Sequence, residues 1–269
     1  MTDLAPAGGR PSAESSTTPL AGCVSLVTGG GSGLGSVIAE GLARAGSDVA
    51  IVDVDEAGLA QTATLIEQTG VRAWTAVADV GDEVAAARAI DNAIAALGHV
   101  NVLVANAGIG DRSPAESMHI DQWDRVIRVN LRGVWLFNQG VGRHLIETGR
   151  PGSIINMASV AGQVGLTTGI ANYSASKGAV IALTRCLAME WAGHGIRVNA
   201  IAPTHFETPM VAGAVQANPS LGEYFRGNIP LGRLGQPDEI VGPVVFLASP
   251  ASSMVTGHVL AVDGGHTAR

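Results

Sequence analysis

From Leu20 onward, short apolar runs alternate with longer amphipathic stretches. Seven short runs read as strands: Cys23–Thr28, Val49–Val52, Trp74–Ala78, Val102–Ala105, Ser153–Met157, Arg197–Ala202 and Val259–Val262. The stretch after the first strand places Leu34, Ile38 and Leu42 on one helical face, and further helices are expected near Glu56–Thr69, Asp82–Leu97, Ile120–Glu147, Tyr173–Ala192 and Pro237–Leu247. Near-continuous apolar strands alternating with helices mark a parallel sheet covered on both faces. The expected fold class is α/β: one doubly wound, Rossmann-type domain over residues 20–269, with a seven-stranded parallel sheet and helices on both faces. No stretch after Leu20 has the character of an interdomain linker, and there is no internal repeat. Residues 1–19, rich in Ala, Pro, Gly, Ser and Thr, read as a flexible tail and lack the basic-then-apolar order of a secretory signal.

Composition narrows the function classes. Among 269 residues, 46% are hydrophobic and 14% charged, enough apolar material for a large core and too much for a disordered chain. The 16 basic and 23 acidic residues leave a formal charge of −7, which argues against a phosphate-backbone footprint and so against nucleic acid as a partner. No apolar run approaches the ~20 residues of a membrane span. Cys23 and Cys186 belong to no CxxC pair or Cys/His cluster and read as buried thiols of a reducing compartment, which suits a cytoplasmic protein. The histidines His99, His119, His144, His194, His258 and His266 show no metal-ligand spacing, so no metal is expected.

The chemistry begins at the first turn. The strand Cys23–Thr28 runs into Gly29-Gly30-Gly31-Ser32-Gly33-Leu34-Gly35 and then a helix. Such a unit gathers free backbone N–H groups and the positive end of a helix at one point, where a pyrophosphate can sit. The turn does not match Gly-x-Gly-x-x-Gly, because Ser36 stands where a third glycine would. It is not a Walker loop either, because no Lys follows its last glycine. Asp53 ends the second strand, 24 residues past Gly29, about where an acidic side chain reaches an adenosine ribose. Tyr173 and Lys177 are four apart and therefore share a helical face. An ammonium close to a phenol favours the phenolate and lowers its pKa from about 10.

Thr28-Gly29-x-x-x-Gly33-x-Gly35, Asn106-Ala107-Gly108 and the Ser159, Tyr173, Lys177 spacing occur in order over Leu20 to the C-terminus, and together they resemble the short-chain dehydrogenases/reductases. The resemblance implies an enzyme moving a hydride between NAD and a secondary alcohol or ketone. By it, Asn130, Ser159, Tyr173 and Lys177 take the four catalytic positions, with Asn130 propping a water that links the Lys to solvent. It also implies a cofactor site of Gly29, Ser32, Gly33, Leu34, Gly35, Asp53, Asp79, Val80, Asn106, Ala107, Gly108, Tyr173, Lys177, Pro203, Phe206 and Thr208. Asp79 and Val80 would flank the adenine, and Thr208 would contact the nicotinamide. One departure is visible: the family commonly has Pro-Gly after the sixth strand, whereas Thr204 follows Pro203 here.

The stretch Ile196–Arg269 looks like the branch of polyol and gluconate dehydrogenases, so a sugar alcohol, keto-sugar or keto-acid is the expected small-molecule substrate. The alternative is a 3-oxoacyl-(acyl-carrier-protein) reductase-like enzyme, a class that usually uses NADPH with a basic residue by the ribose; Ser32 and Val54 occupy the nearby positions here. Enoyl reductases of this fold space their Tyr and Lys seven apart, against four here. Gln163, His205 and Glu207 are the candidate substrate contacts, being polar residues close to the catalytic Ser or to Pro203. The resemblance also implies a homotetramer that pairs its two long helices across one two-fold axis and its last strands across another.

Overall fold

The computed structural model describes residues 18–268, so the expected tail lies almost wholly outside the described residues. Seven strands form one parallel sheet: β1 (Val24–Thr28), β2 (Asp48–Asp53), β3 (Ala73–Val77), β4 (Val102–Ala105), β5 (Gly152–Met157), β6 (Ile196–Pro203) and β7 (Val259–Val262). Their order is β3-β2-β1-β4-β5-β6-β7, so the direction of winding reverses between β1 and β4. At that switch the two neighbouring crossovers leave to opposite sides and open a crevice at the carboxyl ends of the strands. The central strands are apolar on both faces because both faces are covered: β1 and β4 are buried at every residue.

On one face lie α1 (Gly33–Arg44), α2 (Glu56–Glu67) and, from the far end of the chain, α9 (Val241–Ala248). Ile38, Leu42, Leu59, Ile66, Val244 and Leu247 pack there against Val27, Ile51 and Ile155. The other face carries α3 (Glu83–Leu97), α4 (Ile120–Ile127), α5 (Val134–Thr148) and α6 (Ala171–Trp191). Ile90, Phe137, Val141 and Val180 meet Leu26, Leu103 and Ile154 in that core. A buried chain of amides crosses this layer, with Asn138 donating to Asn156 at 2.8 Å and Asn156 donating to Thr184 Oγ1 at 3.1 Å.

Two features differ from the sequence expectation. The single helix expected over Ile120–Glu147 is broken by a wide π-helical turn, Arg128–Gly133, which separates α4 from α5. Two unexpected helices, α7 (Pro209–Ala217) and α8 (Ser220–Gly227), follow β6 and stand over the crevice. The α7 segment mixes Ala, Gly and Val without a polar face, so it carries no amphipathic period. Its start is nevertheless written in the sequence: Thr208 caps it, accepting from the Val211 amide at 3.4 Å, and Pro209 takes the first helical position.

Candidate active site

The crevice is a cleft of about 910 Å³ that runs from the glycine-rich turn to α7. The turn is shaped by close packing that only glycine permits. A Cβ on Gly35 would overlap the Gly29 carbonyl oxygen, and one on Gly31 would stand 3.0 Å from Asp53 Oδ2. Thr28 and Asn106 lock the turn to β4: Thr28 Oγ1 accepts from the amides of Asn106 and Ala107 at 3.0 Å each, and Asn106 Nδ2 donates to the carbonyls of Thr28 at 3.0 Å and Gly29 at 3.2 Å. The start of α1 then faces the opening with free amides and no acidic residue in its first turn, which suits an anionic pyrophosphate.

Asp53 stands at the mouth of this turn. Its Oδ2 accepts from the Gly31 amide at 2.8 Å and its Oδ1 from the amides of Val54 at 2.7 Å and Asp55 at 3.1 Å. Three backbone donors hold the carboxylate in one orientation on the cleft wall; Oδ1 already accepts two of them, and Oδ2, which accepts one, keeps a lone pair for a further donor. Asp79 and Val80 line the same end, where Asp79 Oδ2 accepts from Arg128 at 2.7 Å.

At the other end, β5 delivers Ser159 and α6 delivers Tyr173 and Lys177 to one wall. Lys177 is only 3% exposed, and its Nζ donates to the Met157 carbonyl at 2.6 Å and lies 5.6 Å from the centre of the Tyr173 ring. Burial lowers the Lys177 pKa to about 8. Burial pushes the Tyr173 phenol above its usual value, while a hydrogen bond with Ser159 and the charge of Arg112 pull it back down. The charge of Arg112 thus bears on the phenol from the lip, while the Lys177 ammonium lies beside the ring and is held by a backbone carbonyl.

Asn130 lies fully buried behind this wall, within the π-helical turn. Its Oδ1 accepts from the Ile109 amide at 2.8 Å, while Nδ2 donates to the Ile109 carbonyl at 2.9 Å and to Ser176 Oγ at 3.2 Å. Ser176 Oγ in turn donates to the Tyr173 carbonyl at 2.7 Å. Asn130 thus ties the loop after β4 to the helix that carries Tyr173 and Lys177.

Of the expected cofactor residues, Gly29, Ser32, Gly33, Leu34, Gly35, Asn106, Ala107, Gly108, Pro203, Phe206 and Thr208 all line the cleft, as does His205. Gln163 and Glu207 do not line it; both residues are exposed. Gln163 ends a short 3-10 turn whose buried residues are Val160 and Ala161, and Glu207 follows a Phe206 that is itself buried. Proximity in sequence to Ser159 and Pro203 therefore did not bring them to the substrate end. What reading the sequence missed is Arg112, four residues past Gly108 in a loop without periodicity. Its Nη1 donates to the Thr168 carbonyl at 3.0 Å and its guanidinium lies 5.7 Å from the centre of Phe225, at the lip of the cleft. No acidic side chain pairs with it among the described residues. No cluster of His, Cys, Asp and Glu suited to a metal occurs among the described residues.

Known proteins match most of the length of this chain. A family model described as enoyl-(acyl carrier protein) reductase matches residues 29–267. The chain is 40% identical over 248 residues to gluconate 5-dehydrogenase of Gluconobacter oxydans, covering 92% of this chain and 96% of that one. It is also 40% identical over 249 residues to D-threitol dehydrogenase of Mycolicibacterium smegmatis, covering 92% and 94%. Among solved structures, a gluconate 5-dehydrogenase from Burkholderia cenocepacia J2315, in complex with NADP and tartrate, superposes with a TM-score of 0.88 at 40% identity, covering 94% of this chain and 98% of that one.

Proposed function

The chain belongs to the short-chain dehydrogenase/reductase family, and from that premise we propose that it oxidises a secondary alcohol bearing several hydroxyls, or reduces the matching ketone, with NAD(H) preferred over NADP(H). The observation that carries this reading is the cleft itself, which has Ser159, Tyr173 and Lys177 at one end and the glycine-rich turn with Asp53 at the other. A bound nicotinamide supplies the acceptor or donor of hydride.

Within this reading, the Tyr173 phenolic oxygen takes the proton of the alcohol during oxidation and returns it during reduction. Ser159 donates a hydrogen bond to the reacting oxygen. Lys177, held by Met157, contributes positive charge beneath the site, and Arg112 adds to it from the lip. Asn130 braces the Ile109 loop against α6, so that the wall carrying Tyr173 keeps its place. The amides around Gly29, Ser32, Gly33, Leu34 and Gly35 hold the pyrophosphate, Asp53 the adenosine ribose, and Asp79 with Val80 the adenine. Asn106, Ala107 and Gly108 pass beneath the cofactor, and Pro203, Phe206 and Thr208 border its nicotinamide.

Two cleft residues favour a polyhydroxylated or acidic substrate over a long acyl chain. Arg112 offers donors without an acidic partner, and His205 offers a ring nitrogen. A pocket with polar groups placed to meet substrate hydroxyls discriminates against analogues lacking them. The relatives act on gluconate and threitol, which points the same way. The solved relative carries NADP, so the preference proposed here rests on Asp53, with Ser32 and Val54 offering no cation to a 2′-phosphate. We further propose a cytoplasmic homotetramer; among the described residues no helix is long and apolar enough to cross a membrane. A panel of sugar alcohols, sugar acids and simple secondary alcohols, followed by NADH absorbance, tests the substrate reading. Faster turnover of the simple alcohol than of a sugar alcohol of equal chain length overturns it.

A further inference from the structure

Thr204, the residue that departs from the family pattern, joins two distant parts of the chain. Its Oγ1 lies 2.8 Å from His266 Nδ1 and 3.4 Å from His205 Nδ1. The sheet brings these groups together. Pro203 pairs with Val262 at the ends of β6 and β7, so the turn after β7 folds over the residue after β6. The Thr204 amide donates to the Val262 carbonyl at 3.3 Å in the same place. That turn is itself tightly held, because the Asp263 carboxylate accepts from the amides of Gly265 at 2.9 Å and Thr267 at 2.8 Å and from the Thr267 hydroxyl at 2.6 Å. His266 is 3% exposed.

His205, by contrast, lines the cleft. Its carbonyl accepts from the Gly235 amide at 3.0 Å, and its ring stacks on Phe225 of α8 with centroids 3.7 Å apart. A threonine hydroxyl has one proton to give and lone pairs to receive. If it donates to one imidazole Nδ1, it has to accept from the other. The hydroxyl therefore couples the two rings: when one Nδ1 is an acceptor the other is a donor. Where the hydroxyl gives its proton to His266 Nδ1 at the shorter contact, His205 Nδ1 has to be the donor. In a neutral imidazole the role of Nδ1 fixes the opposite role for Nε2. Burial keeps His205 neutral, with a pKa of about 4.

We propose that Thr204 is a positioning residue for substrate recognition: from the C-terminal turn it fixes the ring and tautomer of His205, so that this imidazole meets a substrate hydroxyl in one defined role. The proposal rests on the hydroxylated-substrate reading above, but its test has an arm that does not need substrate. Side-chain nitrogen NMR of the full-length enzyme is expected to show His205 and His266 each in a single tautomer, and both signals to shift or average in Thr204→Val. Unchanged imidazole signals in that variant overturn the proposal. In steady-state kinetics with the best substrate from the panel, losing one hydrogen bond is expected to raise KM about tenfold while kcat stays within about twofold. Thr204→Ser restores the wild-type KM, and adding His266→Gln to Thr204→Val causes no further loss, because both changes break one link. A wild-type KM in Thr204→Val, failure of the serine variant to rescue, or multiplying effects in the double variant each overturn it. If the panel yields no hydroxylated substrate, the functional reading fails on its own, and the imidazole spectra still decide the Thr204 link.

Discussion

Tyr173 is the residue on which the proposed chemistry turns, and its surroundings pull its phenol in opposing directions. Burial favours the neutral form, whereas Ser159 and Arg112 favour the phenolate. Removing the hydroxyl removes the proton carrier while leaving the ring that fills the wall. Tyr173→Phe is therefore expected to lower turnover roughly 10²–10⁴-fold with cofactor affinity retained, as measured by kcat and by binding titration. Turnover above half of wild type would remove Tyr173 from this role. Asp53 acts at the other end of the cleft. Its carboxylate is preset by three backbone amides, and Oδ2 has a lone pair left for a ribose hydroxyl. A 2′-phosphate would replace one donor with a negative charge facing the carboxylate, at a cost of about 3 kcal/mol or more, roughly a hundredfold in affinity. Asp53→Ala should weaken NAD binding and narrow the gap to NADP. Equal efficiency with NADPH and NADH in the wild type would mean that Asp53 does not read the ribose.

At the scale of elements, the glycine-rich turn shows how a local sequence fixes a functional shape. Any side chain at Gly35 would overlap the Gly29 carbonyl, so Gly35→Ala has to push α1 away from β1. The expected outcome is a loss of about 1–3 kcal/mol of stability, seen as a lower Tm, together with weaker cofactor binding. Unchanged melting and affinity would show that the turn relaxes freely. The same turn was legible in the sequence because strand, glycines and helix are contiguous there, and the seven strands were legible because each is a short apolar run between polar turns. The interruption at Arg128–Gly133 was not. Asn130 spends its amide on Ile109 and Ser176, partners 21 and 46 residues away, and no local pattern records such bonds. Arg112 was missed for a related reason: its place at the cleft depends on Thr168 and Phe225, both far along the chain. Gln163 and Glu207 lie outside the cleft lining, since nearness in sequence to Ser159 or Pro203 does not by itself bring a side chain to the cleft.

The whole molecule leaves apolar side chains uncovered on its long helices. Met189 of α6 is 82% exposed and Trp135 of α5 is 37% exposed, so these helices offer a face suited to a second copy of the chain. Light scattering at micromolar concentration is expected to give the mass of four chains, and Met189→Glu to shift the population toward smaller species. A wild-type monomer would contradict the assembly. The protonation of buried groups sets the stability of the whole fold against acid. The His205 pKa falls from 6.5 to about 4, chiefly because its ring is buried. Burial also lowers the pKa values of His99 and His144, and Arg150 presses on both. Above pH 6.5 His205 is neutral in folded and unfolded chains alike, so it costs the fold nothing. As the pH drops from 6.5 toward 4, the unfolded chain takes up the proton first, and folding loses up to about 3 kcal/mol through this one residue. Glutamine at position 205 has no such proton to bind. Between pH 7 and pH 4.5 the Tm of His205→Gln should therefore fall less than that of the wild type, at matched ionic strength. Parallel declines in the two proteins would show that the His205 ring titrates in the folded state as it does in water.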